Sequence, residues 1–169
     1  MIHFFQTLIL LVFPVLAILA ALRDATSYTI PNWMPATLIA AFAVAAIALG
    51  LPWRLVAADV AVGLVALVAA MAMFAMRWIG GGDAKLFAAA ALWLGLAGAP
   101  TFLLVTGLAG GALSLALLAL RSGPLQAIAN AGPAWVVRLA KPDEGVPYGV
   151  AIALGALVAF PISALGAHL

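Results

Sequence analysis

From residue 2 to residue 22 the chain carries no charged side chain, and similar apolar runs cover 33–49, 55–76, 86–120 and 145–167, with Asp59 their one charged residue. A segment crossing the hydrocarbon of a bilayer needs about 20 such residues. It must also satisfy its backbone N–H and C=O groups internally, so a chain with this pattern folds as helices. With 68% hydrophobic and 7% charged residues there is too little polar surface to coat a water-soluble globule. The reading is an all-α integral membrane protein, one domain over 1–169, a bundle of about six transmembrane helices.

The punctuation sets the expected helices at 2–22, 33–49, 54–77, 84–96, 101–120 and 147–165. Pro14 lies inside the first, where neighbours can satisfy the carbonyl its ring frees. Pro31 forbids continued helix, and Asn32 is placed to cap the second. Gly50-Leu51-Pro52-Trp53 makes a turn, and Gly98-Ala99-Pro100 is the expected break between the fourth and fifth helices. Gly107 and Gly111, four apart in the fifth, read as close helix packing. Residues 121–146 mix Arg138, Lys141, Asp143 and Glu144 with Leu125, Ile128 and Trp135, the composition of an interfacial segment with a short amphipathic helix.

Loop charges orient the bundle. Arg23, then Arg77 and Lys85, then Arg121, Arg138 and Lys141 fall on one side, and Arg54 alone on the other. By the positive-inside rule both termini are non-cytoplasmic, and the crowded side faces the cytoplasm. Several function classes drop out. The chain has no cysteine, and its two histidines, His3 and His168, stand at opposite ends, so neither a metal site nor a histidine-based triad is expected. A net charge of +2 in so few basic residues does not indicate nucleic-acid binding.

Two carboxylates stand out. Asp83 follows three glycines, Gly80-Gly81-Gly82, at the start of a helix, where capping alone could explain it. Asp24 ends the first helix, where the dipole disfavours negative charge, and capping does not explain it. Both fall on the cytoplasmic side and can share one site. Two carboxylates held close retain one proton between them, the arrangement that activates water and protonates a leaving amine. The helix ends suggest Asp83 as base and Asp24 as acid. Asp59 is some 27 Å along its helix from the cytoplasmic end, too far to join them. It reads as structural, near the outer boundary and within reach of Arg54 or water. The competing class is a small transporter subunit relaying protons or a cation through the same aspartates, though such a protein wants its carboxylates near the midplane.

Asp24 leading into Ile30-Pro31-Asn32, and Gly80-Gly81-Gly82-Asp83-Ala84-Lys85-Leu86 with its GxGD pattern, resemble the two motifs of the type IV prepilin peptidases, in the short form associated with Flp (Tad) pili. Trp93-Leu94-Gly95 and Pro147-Tyr148-Gly149 are similar to further family features. The resemblance implies an aspartic endopeptidase of the bacterial inner membrane, with Asp24 and Asp83 as its catalytic pair and no cofactor. Its partner would be a prepilin, a basic leader followed by an apolar helix lying in the bilayer beside it, and the pilus assembly machinery beyond. Longer members carry a cysteine-bearing N-terminal region and methylate the new N-terminus using S-adenosylmethionine. This chain starts in a membrane helix without cysteine, so methyl transfer is expected to be absent. Gly80, Gly81 and Gly82 offer open backbone for an extended scissile segment. Lys85 reads first as an orienting charge and second as a contact to the leader. Tyr148 reads as an interfacial anchor on the side of the dyad, from which it can reach substrate. Trp33, Trp53, Trp78 and Trp93 read as belt or packing residues.

Overall fold

A computed structural model of the protein describes residues 2–142 and 144–168; Asp143 lies outside the described residues. The fold is helical, with no strand among the described residues. In chain order the helices are α1 (Ile2–Ser27), α2 (Trp33–Ala48), α3 (Trp53–Ala75), α4 (Gly81–Leu120), α5 (Gly123–Asn130), α6 (Ala134–Leu139) and α7 (Tyr148–Ala159), followed by 3-10 turns at Phe160–Ile162 and Gly166–His168. Three of them, α1, α3 and α4, are long and apolar enough to cross a membrane, while α2 and Tyr148–Ile162 are shorter apolar helices.

The element α4 is a helical hairpin. The rings of Phe87 and Phe102 stack at 4.9 Å between centroids, whereas fifteen residues of straight helix would hold them about 22 Å apart. The reversal occurs at Gly95, whose φ of 55° and ψ of −163° are non-helical. A first arm, 81–94, therefore rises from the Gly80 end, and a second, 96–120, returns to it. The expected break at Gly98-Ala99-Pro100 is thus corrected by a few residues: the left-handed backbone falls on Gly95, and Gly98 and Pro100 lie inside the second arm. Gly98 lies where a Cβ would stand 3.0 Å from that of Leu94 and 3.4 Å from the carbonyl of Ala159.

The first arm forms the centre. Trp93, 1% exposed, packs its ring against Phe13 of α1, Phe42 of α2 and Phe160 after α7. Its indole N–H donates to the carbonyl of Leu38 at 2.8 Å. Of the tryptophans assigned to belt or packing, Trp93 is thus packed, and Trp33, Trp53 and Trp78 are exposed. Small residues set the distance between helices. A Cβ on Gly63 would stand 3.0 Å from that of Leu92, so α3 lies directly on the first arm. The large residues of α3, among them Leu64, Val65 and Val68, point outward. In lipid this inversion is expected: outward leucines lose nothing to hydrocarbon, and helices adhere by close packing over small side chains.

Three further expectations change. Gly107 and Gly111 have nothing within 4 Å of a built Cβ, and the close approach between α7 and the second arm is made instead by Gly110 against Tyr148 and Gly155 against Phe102 and Thr106. Asn32 makes no side-chain cap on α2; its side-chain Oδ1 accepts from Lys85 Nζ at 2.7 Å. Asp59 does not reach Arg54, which lies over the Trp53 ring at 5.8 Å. It is buried, 3% exposed, with its carboxylate against the Gly95 reversal, where any Cβ would collide with it. The polar stretch from Arg121 onward folds into the short helices α5 and α6. It is tied back by Arg121, which donates to the carbonyls of Leu139 and Gly145 at 2.9 and 2.7 Å.

Candidate active site

Three helix ends converge where the polar residues of the sequence gather. The last turn of α1 carries Asp24, and Tyr28 then adopts the left-handed region at φ 54°, its N–H donating to the carbonyl of Asp24 at 2.9 Å. That turn sends the chain across to Ile30. Gly80 is extended, α4 starts at Gly81, and Asp83 sits in its first turn. The Asp83 Oδ2 accepts from the N–H of Gly80 at 3.2 Å. Gly149 lies in the first turn of α7, where backbone N–H groups have no helical acceptor, and its N–H donates to Asp24 Oδ2 at 2.7 Å.

Asp24, Tyr28, Thr29, Ile30, Gly80, Gly81, Gly82 and Asp83 line one cleft of ≈ 200 Å³. Both aspartates are buried, 4% and 7% exposed, and Asp83 Oδ1 is buried without a hydrogen-bond partner. A buried carboxylate oxygen left unpaired is costly, and this one belongs to a side chain that lines the cleft. The glycines are required by contact as much as by conformation. A Cβ on Gly149 would come within 2.8 Å of Asp24 Oδ2 and of Ile30 Cδ1, and one on Gly82 within 3.1 Å of the Ile30 carbonyl.

The N-terminus of α7 also changes the electrostatics inferred for Asp24. Although it closes α1, where the dipole is unfavourable, it lies against the start of another helix and receives its N–H. Each aspartate therefore sits at a helix N-terminus, Asp83 at its own and Asp24 at that of α7. The helix dipoles no longer distinguish a base from an acid.

The remaining residues singled out by sequence fall around this cleft. Gly80, Gly81 and Gly82 line it. Lys85 is exposed, bonds Asn32 as described, and lies on a separate groove between α2 and α3. Tyr148 lines an adjoining chamber that shares Gly80 with the cleft. Two contributors escaped sequence reading as site residues. One is Gly149, a backbone donor whose available signal was its place after Pro147 at a helix start. The other is Tyr28, whose Oη is buried without a hydrogen bond. Burial pushes its phenol above the ordinary value, with the nearby Arg121 working against that shift. Among the described residues no group of three or more His, Cys, Asp or Glu side chains is gathered as a metal site.

Comparison with curated proteins and with solved structures finds no match to this chain. The family model for the type IV leader peptidase family matches residues 11–115, which takes in the later part of α1, all of α2 and α3, Asp24, the glycine stretch, Asp83 and the α4 reversal. A match over that share of the sequence places the chain in the type IV leader peptidase family, as a membrane-embedded peptidase.

Proposed function

We propose that this protein is an aspartic prepilin peptidase. It removes the leader of type IV, Flp-type prepilins at the cytoplasmic face of the bacterial inner membrane, with Asp24 and Asp83 as the catalytic pair. The observation that carries this reading is the single cleft that two buried carboxylates line together with the backbone of Gly80 to Gly82. One carboxylate, ionised, takes a proton from a water molecule as the water oxygen adds to the scissile carbonyl carbon. The other, protonated, gives its proton to the amide nitrogen as the C–N bond breaks. The products are a carboxylate on the leader and an amine on the pilin. A scissile segment laid in extended form along Gly80 to Gly82 pairs with backbone groups there and brings its carbonyl to the aspartate pair.

The test is co-expression with a pilin precursor encoded alongside it, followed by the size shift that marks leader removal. Wild type should process the precursor, while Asp24→Asn and Asp83→Asn should each abolish processing and leave the protein in the membrane. Cleavage retained in either variant removes that aspartate from the mechanism. The proposal is peptidase chemistry alone, so transfer of a methyl group from S-adenosylmethionine by the purified chain would contradict it.

A further inference from the structure

Two grooves flank the bundle, and one of them leads to the aspartates. The cleft holding Asp24 and Asp83 shares Gly80 with a chamber of ≈ 320 Å³. That chamber shares Trp78, Ile79 and Tyr148 with an apolar groove of ≈ 380 Å³ between the end of α3, the second arm of α4 and α7. The three spaces therefore adjoin in series, each sharing lining residues with the next. The wider groove between α2 and α3, ≈ 1100 Å³, shares no lining residue with any of them.

The floor of the 380 Å³ groove includes Gly107, Gly111 and Ser114, one face of the second arm. Gly107 and Gly111 have open space where a Cβ would be, so the protein's own packing leaves this face uncovered. At the other end of the series Asp24 and Asp83 line the cleft. An apolar helix face adjoining, through one chamber, the cleft that both aspartates line fits a ligand that is helical at one end and extended at the other.

We propose that the apolar helix of the substrate docks on the Gly107–Gly111 face, and that the chain N-terminal to it runs extended past Trp78 and Tyr148 onto Gly80–Gly82. This rests on the prepilin-peptidase reading and specifies where its substrate sits. Two glycines a turn apart let the backbone of a second helix approach closely, which favours a substrate helix with small residues on its inward face. Tyr148 becomes a residue passed by the substrate at the point where helix gives way to extended chain. The groove between α2 and α3 is left to lipid.

The chain has no cysteine, which permits a direct test by disulfide trapping in native membranes. Gly111→Cys is placed in the inactive Asp83→Asn background and expressed with the precursor that wild type cleaves, carrying single cysteines along its apolar helix. Under a copper–phenanthroline oxidant, cross-links should form at precursor positions recurring every three to four residues. Gly107→Cys should give the same pattern displaced by about one helical turn, and Ala57→Cys in the other groove should give none. Cross-linking through Ala57→Cys, a homodimer through Gly111→Cys, or no cross-link to the precursor at any position would overturn the docking. In the active protein, Gly107→Leu with Gly111→Leu should raise KM for the membrane-held precursor roughly tenfold with kcat little changed; an unchanged KM would also overturn it. The trapping is read without catalysis, so its failure is distinct from failure of the peptidase reading, which Asp83→Asn in the processing assay decides.

Discussion

Gly149 shows how much of a site can rest on a missing side chain. Its N–H holds Asp24 Oδ2 at 2.7 Å, and its Cα leaves no room for a Cβ. Gly149→Ala should therefore displace the Asp24 carboxylate and slow processing by roughly a hundredfold, the scale of a 1 Å misplacement at a reacting group. The check is the processing rate per amount of folded protein. The glycines before Asp83 should grade in the same assay. Gly82→Ala meets the backbone of Ile30, whereas Gly81→Ala meets only the ring of Phe74 at 3.3 Å, which can turn aside. Gly82→Ala should be the more severe, and the reverse order would mean that contact with Ile30 does not set the cleft. Asp24 and Asp83 were legible in the sequence because charge is rare and expensive in such a chain. Gly149 was not, since every residue but proline carries an N–H, and only the fold says which one is left free and near a carboxylate.

At the scale of an element, the α4 hairpin turns on Gly95, with Asp59 packed against it. The reversal needs a positive-φ conformation open to little but glycine, which costs an alanine about 1–3 kcal/mol through backbone alone, and the Asp59 carboxylate fills the space where a Cβ would go. Gly95→Ala should lower the thermal stability of the purified protein in detergent by more than that backbone cost. In the Asp59→Ala background the same substitution should cost less, with a coupling of about 1 kcal/mol or more between the sites. Additive losses would show that Asp59 and Gly95 do not share the space. A break in this region was legible, because apolar residues continue too far for one crossing. Its position was not. Gly95, Gly98 and Pro100 are all breakers by type, and only in the fold does the reversal fall on Gly95, with Asp59 against it.

For the whole molecule, helices pack by small residues and present large ones to lipid, and the loops carry the information on orientation. In intact cells an impermeant maleimide should label Pro52→Cys, at the turn before α3. Ser122→Cys, after α4, should label only once the membrane is opened. The opposite result would invert the bundle and move the aspartates to the outer face. The sequence by itself determined that this chain is helical and membrane-embedded, because hydrocarbon leaves backbone polar groups no other partners. It also marked Asp24 and Asp83 as the residues to explain. Only the tertiary structure decided that α7 supplies the donor to Asp24, that Lys85 turns to Asn32, and that Gly107 and Gly111 stay uncovered. Those outcomes depend on which helix lies against which, and in lipid that choice turns on shape complementarity among residues of nearly equal hydropathy, which the order of apolar residues does not encode.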